Sequence, residues 1–185
     1  MVMLMRIVIS IITGAVLCLM IHTTADAQIN AGAGLAYGFD IEKPGIQVGG
    51  TYGISDEIRV GVDIIYWFGD NETNDLGMGL EERISTTLLE VNANFNYIFY
   101  RENDLNLYGI GTLGIHYFSF SDELWISGTS HPQDSFSDSD TEAAIGLGVG
   151  AEYSLGNLLI YAEPRVFLSG FDQFAVSAGV RIPIR

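Results

Sequence analysis

Polar and apolar side chains alternate along most of the segment from Ser85 to Tyr100. One row is apolar apart from a single threonine: Thr87, Leu89, Val91, Ala93, Phe95, Tyr97 and Phe99. The other row carries Glu90, Asn92, Asn94 and Asn96. Because successive side chains of a β-strand point to opposite faces, this pattern predicts a strand with one apolar and one polar face. A strand needs about nine to eleven residues to cross a bilayer, against about five or six in an ordinary sheet, so the segment is predicted to span a membrane.

The same alternation recurs in seven further segments. The predicted strands cover residues 29–39, 46–54, 58–66, 85–100, 106–120, 142–153, 158–168 and 173–184. Two long connections, 69–83 and 121–140, are predicted as polar loops at one end of the sheet, and all connections at the other end are short. Outer-membrane barrels share this asymmetry. The chain is therefore predicted to be an all-β protein, an eight-stranded antiparallel up-and-down transmembrane β-barrel.

The fifth predicted strand has the least regular pattern. Its outward row is assigned to Tyr108, Ile110 and Thr112, with Gly109 and Gly111 facing inward. The residues that follow fit either phase, which predicts a β-bulge after Gly114.

Aromatic residues are predicted to form two belts at the ends of the strands, where membrane interfaces favour them. The belt near the long loops comprises Tyr37, Phe39, Tyr66, Trp67 and Phe174. The belt near the short turns comprises Tyr52, Phe95, Tyr97, Phe99, Tyr108 and Tyr153.

The polar rows carry the ionic side chains together with most of the strand glycines. These charges are Arg59, Asp63, Glu90, Glu152, Glu163, Arg165 and Arg181. An eight-stranded barrel is only wide enough inside for side chains, and an unpaired buried charge costs several kcal/mol. We therefore expect these residues to pair in the lumen, to plug it and to fix the strand register. Arg59, Glu152 and Arg181 are expected near the short turns, and the other four near the middle of the barrel.

The first 27 residues have the pattern of a cleavable export signal. Arg6 precedes an apolar run from Ile7 to Ile21, and Ala25-Asp26-Ala27 fits a cleavage site between Ala27 and Gln28. An uncleaved anchor is the alternative, although the run is shorter than the ~20 residues of a spanning helix. The predicted organisation is a signal peptide, 1–27, and a barrel domain, 28–185. The only cysteine, Cys18, lies in the signal, so no disulfide is expected.

The charge of the chain excludes one class of partner. Its formal net charge is −15, and it has only eight Lys and Arg residues. Binding to nucleic acid requires clustered basic residues, so no nucleic-acid partner is expected.

Candidate catalytic and metal-binding residues are few. A hydrolase needs a nucleophile next to a base, and the candidates are His116 near Ser119 and Ser121, and His131 beside Ser130. No His and Ser lie two residues apart on one strand face. The segment 134–140 has oxygen-bearing side chains at alternate positions but lacks the glycine and terminal glutamate of an EF-hand loop. No catalysis, metal or cofactor is therefore expected.

The chain from Gln28 to Arg185 resembles the small eight-stranded outer-membrane barrels, of the OmpA/OmpX type and the opacity-protein-like porin family. Its last strand resembles their C-terminal assembly signal, with Ser177, Gly179, Ile182 and Ile184 at the polar, glycine and hydrophobic positions. The last hydrophobic positions are usually aromatic in that signal, and here Arg185 follows them. The resemblance implies a monomer in the bacterial outer membrane, surrounded by lipid and delivered by periplasmic chaperones and the barrel-assembly machinery.

The predicted function is a structural or surface-interaction role of adhesin type, without an open wide pore. A narrow porin for small solutes is the alternative, and a barrel-embedded lipid A hydrolase is a third possibility.

Overall fold

The computed structural model describes residues 29–77, 79–126, 132–168 and 172–184. The predicted signal peptide, the cleavage site between Ala27 and Gln28, and the pair Ser130 and His131 lie outside these ranges. Within the ranges the chain forms nine antiparallel strands: β1 (Ile29–Gly38), β2 (Lys43–Gly53), β3 (Ile58–Trp67), β4 (Asn71–Gly77), β5 (Leu80–Glu102), β6 (Leu105–Ile126), β7 (Asp134–Ser154), β8 (Leu159–Leu168) and β9 (Gln173–Ile184). Across the same ranges, no helix is long and apolar enough to span a bilayer.

Eight of these strands close a ring. Each strand pairs with its neighbour in sequence, except that β3 pairs with β5, and β1 closes the ring on β9 with Ile29 opposite Ile184. The ninth strand, β4, stands outside the ring and pairs with β5 alone. The predicted eight-stranded antiparallel barrel is confirmed.

The two faces of the ring have opposite character. On β3, Val62 is 55% exposed and its neighbour Asp63 is 6% exposed. On β8, Val166 is 43% exposed while Arg165 is 3% exposed. The apolar rows therefore face outward and the ionic rows face the lumen, because a closed sheet sends alternate side chains to opposite sides.

The two long connections are not loops, and in this respect the prediction was wrong. Within 69–83, β4 pairs with the first residues of β5, from Asn71 opposite Ser85 to Gly77 opposite Leu80. Within 121–140, β6 continues to Ile126 and β7 begins at Asp134. We call this extension the outer ribbon: β4 with residues 80–87, 118–126 and 134–141. Both of its faces carry polar residues, so the alternation that reveals a membrane strand is absent from its sequence.

The predicted phase of the fifth strand was also wrong. Tyr108, Ile110 and Thr112 on β6 face the lumen and are 1%, 3% and 3% exposed. The pairing of β6 is continuous past Gly114, and the irregularity lies instead in β5, between Ile98 and Tyr100. Tyr108 and Ile110 pack against Ile98 inside the barrel. Part of the lumen wall on β5 and β6 is therefore apolar, so an apolar side chain there does not identify the outward face.

The prediction that Trp67 belongs to the aromatic belt near the long loops was also wrong, because Trp67 lies inside the barrel. It is 1% exposed and packs with residues from six other positions around the mouth: Ala36, Ile65, Leu88, Ala144, Phe167 and Ala175. An apolar layer therefore covers the mouth end of the lumen, above the charged residues.

The composition of residues 42–45, Glu-Lys-Pro-Gly, predicts a turn between the first two strands, and this prediction was wrong for three of the four residues. Lys43, Pro44 and Gly45 belong to β2, opposite Gly38, Tyr37 and Ala36 of β1. Pairing with β1 extends β2 to residues whose composition alone indicates a turn.

Candidate functional site

A column of alternating charges runs through the lumen from the short-turn end, where Arg59, Glu152 and Arg181 lie, to the middle of the barrel. Arg59 on β3 donates to Glu152 on β7 at 2.9 Å, and Arg181 on β9 contacts the same carboxylate at 3.2 Å. Arg181 also contacts Glu163 on β8 at 2.5 Å. Arg165, two residues along β8, contacts Glu163 at 2.5 Å and reaches Asp63 on β3 at 2.9 Å. The column thus alternates three guanidinium groups with three carboxylates and carries no net formal charge.

Neutral side chains complete the hydrogen bonding of the column. The Tyr108 hydroxyl donates to Glu163 at 2.7 Å and accepts from Arg181 at 2.9 Å. Asn94 donates to Asp63 at 2.5 Å. The Arg181 guanidinium lies over the Tyr161 ring, 3.9 Å from its centroid. Charges taken out of water are tolerated when such hydrogen bonds satisfy their remaining lone pairs and protons. Here they satisfy most of them, and among the column's buried nitrogens Nε of Arg165 has no hydrogen-bond partner within the described residues.

The seventh residue predicted for this group, Glu90, lies apart from the column. It is 0% exposed, accepts a hydrogen bond from Trp67 Nε1 at 2.8 Å, and faces His116 on β6 with its Oε2 3.7 Å from Nε2. The His116 ring meets Phe167 edge-on at 5.1 Å. The structure therefore brings six of the seven predicted charges together and places Glu90 in a separate group with Trp67 and His116.

Glycines on the barrel wall make room for the large lumen side chains. A Cβ atom built on Gly34 would lie 2.6 Å from the Tyr161 hydroxyl, and one on Gly150 would lie 2.3 Å from the Tyr108 ring. A cavity of about 20 Å³ beside the column is lined by Asp63, Glu163 and Arg165, among others. That volume corresponds to about one water molecule. The described side chains therefore fill this part of the lumen.

The residues considered for hydrolysis do not come together. His116 faces the lumen, and the odd-numbered neighbours Ser119 and Ser121 belong to the opposite face of β6. A nucleophile and its base must be within hydrogen-bond reach, and strand geometry separates these residues. Among the described residues, no group of three or more His, Cys, Asp and Glu side chains is arranged to hold a metal ion. The segment 134–140 is part of β7.

The four residues of the predicted assembly signal lie on β9. Ser177 faces the lumen opposite Glu163 and is 2% exposed. Gly179 follows on the same face, while Ile182 and Ile184 face outward and are 55% and 53% exposed. This placement leaves the two isoleucines on the outer surface, next to the seam with β1.

Several lumen residues were not identified from the sequence. Tyr108 was assigned to the wrong face, and Trp67 to a belt. Tyr161 and Asn94 lay on rows recognised as inward, but nothing in their spacing indicated which charge they would contact. Those contacts run between strands distant in sequence, such as Tyr108 to Glu163, 55 residues apart.

Several solved structures have the same fold. A major outer membrane protein from Thermus thermophilus superposes with a TM-score of 0.61 at 13% identity, over 86% of this chain and 100% of that one. Neisserial surface protein A gives 0.59 at 17% identity, over 86% and 98%. The N-terminal β-barrel domain of Pseudomonas aeruginosa OprF gives 0.52 at 12% identity, over 86% and 98%. At these identities the likeness shows the fold alone.

Comparison with the curated proteins gives no match. A family model does match: the outer membrane protein β-barrel domain aligns with residues 11–183. The outward apolar rows, the closed ring and this match agree with one another. The chain therefore belongs to the outer membrane protein β-barrel domain family, and it is a small integral β-barrel of the bacterial outer membrane.

Proposed function

We propose that this protein is a closed, non-catalytic barrel with a structural and surface-interaction role, in which the outer ribbon is the presented element. The observation that carries the proposal is the charge column. Arg59, Arg165 and Arg181 extend across the lumen to carboxylates on other strands and fill its middle. A lumen filled in this way favours anchoring over transport.

The outer ribbon supplies the presented surface. Longer connections of outer-membrane barrels face the outside of the cell, which assigns the ribbon to that side. The ribbon, residues 71–77, 80–87, 118–126 and 134–141, contains nine carboxylates and one arginine. A surface with this charge attracts cationic partners and repels polyanions. We therefore propose that its partner is basic or neutral, and that the barrel works as a monomer inserted by the barrel-assembly machinery.

The first experiment separates this proposal from a narrow porin. The refolded protein in planar bilayers is expected to give conductance no higher than the protein-free membrane, because the charge column blocks the lumen. Reproducible single-channel steps at neutral pH would show that solutes pass, and would replace the proposal with the porin function.

The second experiment tests the surface role. Cells displaying the barrel are expected to adhere to surfaces coated with a basic protein, and less so after Glu81→Gln, Glu82→Gln and Glu123→Gln in the ribbon. The matched control is Glu57→Gln and Glu102→Gln, two exposed carboxylates at the opposite end of the barrel. Equal adherence of both variants and the wild type would reject the ribbon as the contacting surface.

A further inference from the structure

Three buried polar atoms without partners lie close together in the lumen, where β5 and β6 run side by side. They are Oε2 of Glu90, Oδ1 of Asn92 and Nε2 of His116. None of them has a hydrogen-bond partner among the described residues, and the three residues are at most 1% exposed. We call these residues the Glu–Asn–His cluster.

The atoms converge over the bare backbone of Gly114. In the ladder between β5 and β6, Glu90 lies opposite His116, and Asn92 lies opposite Gly114. Oε2 of Glu90 is 3.7 Å from Nε2 of His116. A Cβ atom built on Gly114 would lie 2.2 Å from Oδ1 of Asn92 and 3.4 Å from Nε2 of His116. A side chain at this position would therefore occupy the space beside both atoms.

Other contacts hold these side chains in their orientation. Nε1 of Trp67 donates to the second carboxylate oxygen of Glu90, Oε1, at 2.8 Å. Nδ2 of Asn92 donates to Asp63 at 3.2 Å, which leaves Oδ1 of the amide turned toward the cluster. The ring of His116 packs edge-on against an aromatic ring of β8. Hydrogen bonds that orient ligands from behind are characteristic of metal sites.

The cluster contains a carboxylate but no cationic side chain. Among the described residues, every ion pair of an arginine or lysine is made to a carboxylate other than Glu90. Glu142 on β7 lies opposite His116 and adds a second carboxylate, whose Oε2 likewise has no hydrogen-bond partner within the described chain. Buried charges are paired or coordinate metals, so a bound cation would supply the missing positive charge.

The spacing of the atoms suits a metal ion better than a direct hydrogen bond. A hydrogen bond from a ring nitrogen to a carboxylate oxygen spans about 2.7–3.2 Å, and the observed 3.7 Å is longer. Two ligands of a tetrahedral zinc ion, each bonded at about 2.0–2.1 Å, stand about 3.4 Å apart. Because one ligand is an imidazole nitrogen, the cluster favours zinc and similar divalent transition metals over calcium and magnesium.

We propose that the Glu–Asn–His cluster binds one divalent transition-metal ion of the zinc type. Its ligands are Oε2 of Glu90, Oδ1 of Asn92 and Nε2 of His116. Only two of these residues are of the His, Cys, Asp or Glu types, which agrees with the absence of a group of three such ligands among the described residues. The ion joins β5 to β6 and, through the hydrogen bond from Trp67 to Glu90, holds the apolar layer of the mouth in place.

The mouth of the barrel is the nearest route for the ion. One rung above the cluster lie Leu88 of the apolar layer and Phe118, which packs against it. Further up, the lumen-side face of the outer ribbon carries Asp122, Asp138 and Asp140. Carboxylates around an opening raise the local concentration of cations. The acidic ribbon therefore favours delivery of a metal ion to the cluster.

The test measures zinc binding to the refolded protein after a chelator has removed metal. Calorimetric titration with Zn²⁺ is expected to show one site per barrel above weak binding by the ribbon carboxylates. His116→Gln is expected to weaken this site by at least about tenfold. Gly114→Ala is expected to weaken it too, because the new methyl group meets Asn92. The matched control is Gly109→Ala on the same strand, where a Cβ meets nothing within 4 Å and binding should equal that of the wild type.

Tryptophan fluorescence gives a second readout, which reports where the ion lies. The chain has two tryptophans, so Trp125→Phe leaves Trp67 alone. Saturating Co²⁺ is expected to quench the emission of Trp67, because its indole nitrogen donates to the ligating carboxylate. The quenching should be lost when His116→Gln is added to Trp125→Phe.

Three outcomes would overturn the proposal: no saturable zinc site in the wild type, equal zinc affinity of His116→Gln and the wild type, and equal affinity of the wild type for Mg²⁺ and Zn²⁺. A barrel whose stability changes with pH but not with zinc would likewise reject the site and show that Glu90 and His116 share only a proton. Should His116→Gln and Gly114→Ala fail to fold, Trp125→Phe decides, since unquenched emission of Trp67 at saturating Co²⁺ also contradicts the proposal.

Discussion

At the scale of single residues, Arg165 is a buried charge that depends on two carboxylates for its pairing. Its guanidinium bridges Asp63 on β3 and Glu163 on the same strand, and it is 3% exposed. Asp63 keeps donors from Asn92 and Asn94 if the arginine is removed, and Glu163 keeps Arg181. Removing the arginine is therefore expected to destabilise the barrel strongly, although both carboxylates keep other hydrogen-bond donors.

We predict that Arg165→Met lowers the free energy of unfolding by about 3 kcal/mol, the lower end of the range for breaking a buried ion pair. Urea titration of the barrel in vesicles measures the change. The control is Arg101→Met at the exposed end of β5, where the loss should stay below about 1 kcal/mol. An unchanged midpoint for Arg165→Met would mean that the column does not stabilise the barrel.

A pair of neighbouring glycines tests how tightly the lumen is filled. A Cβ on Gly150 would lie 2.3 Å from the Tyr108 ring, whereas one on Gly109 would meet nothing within 4 Å. Gly150→Ala is expected to cost about 1–3 kcal/mol, because the ring must move away from Glu163 and Arg181. Gly109→Ala should be neutral or slightly stabilising. Similar unfolding midpoints for the two variants would show that the interior has room to spare.

The same residues show how far the sequence predicts the site. Alternation on β3, β7, β8 and β9 identified the inward charges because outward neighbours such as Val62 and Val166 are apolar. Alternation failed for Tyr108 and Trp67, since each belongs to an apolar cluster inside the barrel, and a period of two cannot separate an apolar part of the lumen from lipid. The partners of each charge depend on ring closure, which brings together strands far apart in sequence.

At the scale of the element, β7 has an unusual edge. It pairs with β6 along its whole length, but with β8 only from Ile145 onward, so no described strand adjoins the other side of residues 134–141. The backbone N–H of Ser154 donates to the carbonyl oxygen of Asp104, so the even-numbered N–H groups of β7 point toward β6. Because the register with β6 is constant along β7, the odd-numbered N–H groups point to the opposite side, which is the open one for residues 134–141. The N–H groups of Ser135, Ser139 and Thr141 donate to the side chains of the aspartates that precede them, at 2.9, 2.9 and 2.7 Å.

These aspartates are expected to prevent edge-to-edge pairing, which is the usual hazard of an exposed strand. We predict that Asp138→Ala with Asp140→Ala increases the fraction of cross-linked dimer in detergent, because two amides of the edge become available. Asp122→Ala on β6 is the control, since that strand has partners on both sides. A dimer fraction equal to that of the wild type would exclude the aspartates as edge protection.

The ribbon itself could not be predicted from binary patterning. In the membrane, lipid requires an apolar outward row, so strands there have a clear signature. Above the membrane, water solvates both faces, and Glu82 or Ser121 fit either side equally well. The pairing is set instead by β5 and β6, whose membrane segments are already in register and continue upward.

At the scale of the whole molecule, the sheet extends well beyond the membrane ring at β4 to β7, where β5, β6 and β7 are about twice as long as the other strands of the ring. We predict that hydrogen exchange divides the chain accordingly. Amides in the ring should be protected for the longest time, those of residues 80–87 and 118–126 should be intermediate, and those of β4 and the open side of β7 should exchange first. Exchange of residues 80–87 as fast as the turn at 55–57 would show that the ribbon is not a persistent sheet.

The charge column has a consequence for the order in which the barrel is completed. Arg59 and Asp63 enter with the third strand, but their partners Glu152 and Arg165 lie 93 and 102 residues further along the chain. A chain that lacks β8 and β9 therefore leaves Asp63 without its cation, Arg165. An unpaired charge in a membrane-embedded barrel costs several kcal/mol. All six charges of the column are paired only once the strands that carry Glu152, Glu163, Arg165 and Arg181 are in place, so an incomplete ring is less stable than the closed one.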